Sequence, residues 1–300
     1  MPSSASEEER RRFWVEYQPG FRVADPAQSP DFYRTVEGER YVLEPDILEM
    51  ASFAAWRDRD VLEAGCGIAT DGVQFARAGA RYTGIDFSPT ALSHAQSRFR
   101  LEGLNGKFVQ GSITELPFEA ESFDLVYSMG VIHHVPETER AVAEFHRVLR
   151  PGGRAVVMVY HRDSLNYVFT IMVVRRTLAL LLLVPGADRL VGRITGEPED
   201  VLLGHRALLQ EHGLRYLRDR QLFLNNNTDG PGNPLSKVYS KRQAREVFAQ
   251  FDEVRTDVRF LHLRSYPGGK RLARTGLAQR LARRWGWHLW VDARKQGPAG

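Results

Sequence analysis

The stretch Val61–Thr70 reads VLEAGCGIAT: an apolar run that ends in Gly65-Cys66-Gly67, with one acid, Glu63, two positions before the first glycine. Glycines placed just after a strand let the backbone approach a bound molecule more closely than any side chain allows. Asp86 closes the next such run, RYTGID, about twenty residues on, where a carboxylate meets ribose hydroxyls in open parallel sheets. A pyrophosphate loop would carry a third glycine at position 70, and Thr70 stands there instead. Glu63 repels a pyrophosphate and attracts a cation. Together these residues point to a nucleoside cofactor that is cationic and free of phosphate.

A second set of candidates follows the run FDLVYSM. His133 and His134 follow it after three intervening residues, Gly130–Ile132. Either one of them takes a proton as general base or orients a substrate, or both cap the turn and satisfy backbone groups. A shared metal does not fit, because adjacent side chains rarely converge on one ion and no Cys/His partner pattern accompanies them. Tyr160 and His161 end a further apolar run, GRAVVMVY, and are candidates for the same edge; Tyr160 joins the two histidines as a candidate catalytic residue.

These residues need elements to hold them. From Asp60 to Tyr160 short apolar runs alternate with amphipathic ones. DVLEAG, RYTGID, KFVQGS, FDLVYSM and GRAVVMVY read as strands. DGVQFARAG reads as a helix, as does SPTALSHAQSRFRLEG, with Ser88 as N-cap and Pro89 first in the helix. PETERAVAEFHRVLRPGG reads as a third helix, stopped by Pro151 and Gly152. Strands joined by helices over these distances imply right-handed crossovers and a parallel sheet buried on both faces. In such a sheet, ligands sit outside the carboxyl ends of the strands, where the strand order reverses. The expected fold class is therefore α/β: a Rossmann-like, seven-stranded, mostly parallel sheet with helices on both faces. KRQAREVFAQF, DEVRTDVRFLHL and GWHLWVDARK supply a late helix and the last two strands. The expected divisions are an N-terminal helical lid (1–45), a core (46–160), an insertion (161–240) and a completion of the sheet with a basic helix (241–300). In the insertion, NNNTDGPGNPLSKVYS is dense in Asn, Gly and Pro and reads as irregular.

Composition sets wider bounds. At 43% hydrophobic and 26% charged, the 300 residues are ordinary for a globular chain. The single cysteine, Cys66, suits a reducing compartment, and MPSSASEEERRR has no apolar signal region, so the expected location is the cytoplasm. The run NYVFTIMVVRRTLALLLLV is cut by Arg175 and Arg176 into halves too short to span a bilayer. It reads as an apolar cover or as a membrane-surface contact. Lys270, Arg271, Arg274, Arg280, Arg283 and Arg284 make one basic segment without an acid among them. That is either a solvated helix face or, with the leucine-rich run, a peripheral contact with an anionic membrane.

Four ordered stretches carry a resemblance. VLEAGCGIAT, YTGIDFSPTAL, GSITELPFEAESFDLVYSMGVIHHV and FHRVLRPGGRAVVMVYH resemble class I S-adenosylmethionine (SAM)-dependent methyltransferases, in the small-molecule branch with the ubiquinone and menaquinone C-methyltransferases. The resemblance implies SAM as cofactor and no metal. It places Gly65, Cys66 and Gly67 under the methionine moiety with Glu63 nearby, Asp86 on the ribose, and Phe87, Ser112 and Ile113 about the adenine. The family often has an acid where Ser112 stands. Ser128 and Met129 fall at the methyl-donor end, and Arg40 is a candidate for the donor's carboxylate, with Tyr17, Tyr33 and Tyr41 in the lid. The implied activity is methyl transfer to a small, apolar acceptor, with Phe169, Ile171, Leu178 and Leu180–Leu183 as its cover. A membrane-resident lipid or quinone is the alternative acceptor, and a non-catalytic SAM-binding partner subunit is the alternative of another class. Nucleic acid is not expected as a substrate: where DNA amino-methyltransferases carry (N/D)-P-P-(Y/F) to present a flipped base, this chain reads SMGVIHH.

Overall fold

In the computed structural model the described residues are 7–16, 28–184, 186–263, 269–272 and 275–297. Tyr17 and Arg274 lie outside them, as does the side chain of Lys270.

Local chemistry sets the first elements. Helices α1 (Glu7–Glu16), α2 (Pro30–Leu43) and α3 (Asp46–Ala51) precede the sheet. Ser29 caps α2 by accepting from the Phe32 amide, with Pro30 at its first position. Strand β1 (Asp60–Ala64), α4 (Thr70–Arg77), β2 (Arg81–Asp86), α5 (Pro89–Leu101), β3 (Lys107–Gln110), β4 (Phe123–Met129), α6 (Thr138–Val148) and β5 (Leu149–Tyr160) follow. Ser88 accepts from the Ala91 amide and Pro89 starts α5, as the sequence predicts. Helix α6 ends at Val148, and Pro151 and Gly152 lie inside β5 rather than beyond the helix. The strand starts early because Leu149 already pairs with Phe123, and the irregularity between Phe123 and Leu125 absorbs the extra residues.

The remaining elements are a π-helix (Asn166–Arg175), α7 (Arg176–Leu181), α8 (Asp188–Thr195), α9 (Glu199–His212), α10 (Leu214–Arg218), α11 (Arg220–Thr228), α12 (Lys241–Val247), β6 (Glu253–Arg259), α13 (Gly269–Leu272), α14 (Gly276–Trp285) and β7 (His288–Arg294). Asn225–Thr228, expected to be irregular, form the last turn of α11. Asn226 and Asn227 donate to carbonyls one turn back, and Asn225 donates to the Pro234 carbonyl, so side chains that usually break helices satisfy backbone here.

The seven strands run in the order β3-β2-β1-β4-β5-β7-β6. β1 pairs in parallel with both β2 and β4, β2 with β3, and β4 with β5. The order reverses between β1 and β4, so the loop after β1 leaves the sheet at its switch point. Val61, Leu62, Leu125, Val126, Ala155 and Val157 are sealed from solvent, as a doubly covered sheet requires.

The chain divides into two units. One gathers the described residues of Trp14–Val159, Lys241–Asp257 and Trp290–Gly300; the other those of Met1–Phe13, Tyr160–Ser240 and Val258–Leu289. In the first, α2 packs on α4 and α5, and Phe32, Tyr33 and Val36 form a cluster with Ile68 of the loop after β1. In the second, the expected apolar cover is split. Ile171 and Leu182 are buried, whereas Phe169, Leu180, Leu181 and Leu183 are exposed.

Candidate active site

The loop after β1 bends over the end of β2. The amides of Gly65 and Cys66 both donate to the Ile85 carbonyl, at 2.8 and 3.0 Å. Asp86 completes the clamp: one carboxylate oxygen accepts from the Gly67 amide at 2.8 Å and the other from the Ser88 amide at 2.9 Å. Each oxygen keeps a further lone pair for a hydroxyl donor. Burial raises the Asp86 carboxyl above its ordinary range, opposed by the Ser88, Gly67 and Phe87 amides, so added donors would favour its charged form.

The two glycines do different work. A Cβ at Gly67 would meet nothing within 4 Å, and its φ of +51° suits glycine, so this is where a ligand can lie on bare backbone. A Cβ at Gly65 would stand 2.6 Å from both Val131 methyl groups. Gly65 therefore admits Val131, a residue sequence reasoning missed, and of the two glycines Gly67 is the one whose Cβ position is open. Ala69 follows in the left-handed region at φ +55°, a conformation disfavoured for a residue with a Cβ.

Beneath the loop lies a buried polar cluster of which only Glu63 and the flanking Arg40 and Tyr41 were singled out from sequence. Glu63 accepts from the Tyr82 hydroxyl at 2.6 Å. Burial, then the charge of Asp71, pushes the Glu63 carboxyl well above its usual range, which disfavours the standing charge that the sequence suggested. Asp71 behaves oppositely. Burial alone would raise it, but the Arg40 charge and hydrogen bonds from Arg40, Tyr41 and Tyr127 outweigh burial and hold it down. Arg40 grips it through Nε at 2.8 Å and Nη2 at 2.5 Å, and the Tyr41 and Tyr127 hydroxyls each donate at 2.9 Å. Arg40 Nε and Nη2 are thus engaged by Asp71. Tyr33, also expected in the lid, is buried and donates to the His94 carbonyl. For Asp71 and Tyr127 the advance signal was an acid in the first turn of α4 and a tyrosine inside β4.

Other candidates fall in three groups. Phe87 and Met129 are half-exposed at strand ends. Ile113 is buried, while Ser112 is exposed and bonded to the Thr114 hydroxyl at 2.8 Å. Ser128 and Cys66 point inward: the Ser128 hydroxyl, fully buried, donates to the Ala64 carbonyl at 2.8 Å, and Cys66 packs against the space beside Gly84. Burial pushes the Cys66 thiol well up, so it stays protonated. His133 and His134 sit in a buried 3-10 turn, Ile132–His134, with ring centroids 4.2 Å apart. The His134 ring lies 4.6 Å from that of Trp14.

Tyr160 belongs to the other unit. Its hydroxyl donates to Asp229 at 2.9 Å and its ring stacks on Trp287 with centroids 4.3 Å apart. His161 lies 3.0 Å from the Gly286 carbonyl through Nδ1. Among the described residues no group of three or more His, Cys, Asp or Glu side chains is arranged for a metal ion.

The open face of Gly67, beside a half-satisfied carboxylate at the switch point, fits the ribose and tail of a nucleoside cofactor without pyrophosphate. Known proteins agree with the sheet around it. Solved structures match over nearly the whole chain. One is titled SAM-dependent methyltransferase, possible histamine N-methyltransferase, from Thermotoga maritima: TM-score 0.52, 16% identity, 97% of this chain and 100% of that one. Another is a chain of the Haloferax volcanii complex containing the Trm112 methyltransferase activator: TM-score 0.54, 15% identity, 98% and 100%. The fold is that of SAM-dependent methyltransferases. Residues 62–157 match the family model described as a methyltransferase domain, and those residues run from β1 to β5. Among curated proteins, the phthiotriol/phenolphthiotriol dimycocerosates methyltransferase of Mycobacterium leprae (strain TN) is 42% identical over 95 residues, 31% of this chain and 34% of that protein. A protein named uncharacterized methyltransferase from Mycobacterium sp. (strain JLS) is 34% identical over 137 residues, 46% and 52%. The chain spans about a third to a half of the length of these curated relatives.

Proposed function

We propose that the chain is an enzyme that transfers the methyl group of SAM to a small, apolar acceptor. The observation that carries this reading is Asp86 and Gly67 at the switch point: one carboxylate placed for ribose hydroxyls and one bare stretch of backbone for the donor's tail. The methyltransferase-domain match over the same residues supports it.

The bound donor would supply an activated methyl on a positively charged sulfur. The chain's own residues then position and shield. Asp86 accepts from the ribose hydroxyls, Phe87 and Ile113 flank the adenine, and Met129 stands at the methyl-donor end. Ser128 ties β4 to the end of β1 and so fixes the edge on which the donor rests. Burial disfavours the charged form of Glu63, and a cation brought near would favour it, because opposite charges attract. A base is needed only if the acceptor loses a proton, and His134, beside Trp14, is the assigned group. Positioning supplies most of the acceleration in a reaction of this kind.

Incubation of the purified chain with methyl-labelled SAM and a panel of apolar alcohols, phenols and quinones tests the reading. Label transferred to an organic product, and lost in Asp86→Ala, is the expected result. Donor binding without transfer to any member of the panel would favour the non-catalytic SAM-binding subunit.

A second reading, a lipid acceptor at a membrane surface, has its own observation. Helix α8 exposes Leu190 and Ile194, one turn apart, next to exposed Arg189 and Arg193, the pairing of apolar and basic strips found in interfacial helices. The curated relative named above for phthiotriol dimycocerosates supports the same reading. Among the described residues no helix is long and apolar enough to cross a membrane.

A further inference from the structure

Tyr167 and Arg176 are nine residues apart. In an α-helix of 3.6 residues per turn that is two and a half turns, which puts them on opposite faces. Here Asn166–Arg175 winds as a π-helix. With i→i+5 bonding and roughly 4.4 residues per turn, nine residues make about two whole turns. Both side chains therefore reach the same neighbour, α11. Arg220, at the start of α11, donates to the Tyr167 hydroxyl at 3.2 Å, and the Arg176 guanidinium lies over the Phe223 ring, 5.1 Å from its centroid.

The neighbouring Arg175 is neutralised by Glu197 at 2.8 Å and also donates to the Asn227 carbonyl. Arg176 is different. Its Nε and Nη2 are buried, and no hydrogen bond or ion pair reaches them among the described residues. Burial, then the charge of Arg220, disfavours protonation of Arg176, with Tyr167 and Asp219 opposing. Asp219 acts on it only at a distance: its carboxylate accepts from the Gln221 and Leu222 amides and caps α11. A buried donor edge without a partner is costly, and more so when charged. A π-helix of this length is also rare, and such winding is concentrated at functional sites.

We propose that Arg176 and Arg220, walled by Phe223 and Tyr167, form a binding site for an oxyanion, either a carboxylate or a phosphate group. The Nε–Nη2 edge of Arg176 is the planar fork that grips two oxygens at once. Arg220, exposed on α11, supplies the second charge and the movable side. The Tyr167 hydroxyl accepts from Arg220 and keeps its own proton to donate. The site lies wholly within one unit and is independent of the donor reading, so an anion bound here is either the head of an amphiphilic acceptor or a separate effector.

Calorimetry of the full chain at low ionic strength tests the site with two probes: inorganic phosphate, and dihexanoyl-phosphatidylglycerol below its micellar concentration. Saturable binding is expected, weakened at least tenfold by Arg176→Gln and by Arg220→Gln and unchanged by Arg218→Gln on α10. Should Arg176→Gln not fold, the exposed Arg220→Gln carries the comparison. Tighter binding of the phospholipid than of phosphate identifies a lipid headgroup as the source, and equal binding identifies a soluble anion; both support the site. Absence of saturable binding of either probe, or binding indifferent to both substitutions, would overturn it.

Discussion

Glu63 in β1 and Asp86 at the end of β2 lie on neighbouring parallel strands, and burial raises both carboxyls, but their partners differ. Asp86 has two backbone amides to hold its charge, and Glu63 has one tyrosine hydroxyl and a nearby Asp71. A native carboxyl that titrates above its unfolded counterpart keeps a proton that the unfolded chain has already released. Its contribution to stability therefore falls as pH rises from about 4.3, the unfolded value, toward the native one. Glu63→Gln removes that dependence. Denaturant titrations from pH 4 to pH 8 should show the variant gaining on the wild type as pH rises, and a difference that stays flat would show that Glu63 is charged in the free protein. The histidines are tested by kinetics. His134→Ala should lower turnover at least tenfold while donor affinity is kept; unaltered turnover would leave the ring as packing for Trp14.

Helix α2 is fixed to the core by charge. Arg40 holds Asp71 of α4, and Glu37 meets both Arg77 of α4 and the fully buried Arg98 of α5. Removing one partner of a buried pair strands the other, at about 3–5 kcal/mol. Asp71→Ala should lose about that much in urea unfolding, and Arg40→Met/Asp71→Leu clearly less; equal losses would mean that the pair is not coupled. At the start of α4, Ala69 sits at φ +55°. Relief of left-handed strain, about 1–2 kcal/mol, exceeds the added freedom of an unfolded glycine, about 0.4–1 kcal/mol. Ala69→Gly should therefore stabilise the chain by about 0.5–1 kcal/mol, and a loss of stability in the same titration would contradict the strain argument. This element level is also where the sequence was hardest to read. Ser88-Pro89 announces α5 because capping is local. The π winding of Asn166–Arg175 has no such signature, since its register is set by contacts with α11, and the helical NNNT of α11 depends on carbonyls, such as that of Pro234, brought in by the fold.

At the scale of the molecule, the sheet was legible because buried parallel strands leave apolar runs at regular spacing, and the reversal of strand order places the loop after β1 where ligands bind. The Asp71 cluster was not, because its members come from α2, α4 and β4 and meet only in three dimensions. The exposed face of α8 belongs to this scale as well. Sedimentation with acidic liposomes should retain the wild type and lose Leu190→Glu/Ile194→Glu, whereas equal sedimentation of both would rule out α8 as the contact. The account as a whole rests on a sulfonium nucleoside lying over Gly67 with its ribose on Asp86. Its most direct test is calorimetric titration with S-adenosylhomocysteine and, separately, with NAD. A single saturable S-adenosylhomocysteine site is expected, weakened in Asp86→Ala by about 1.5–3 kcal/mol, the range for a hydrogen bond to a charged group, with no heat from NAD. An absence of S-adenosylhomocysteine binding, or saturable binding of NAD in its place, would contradict it.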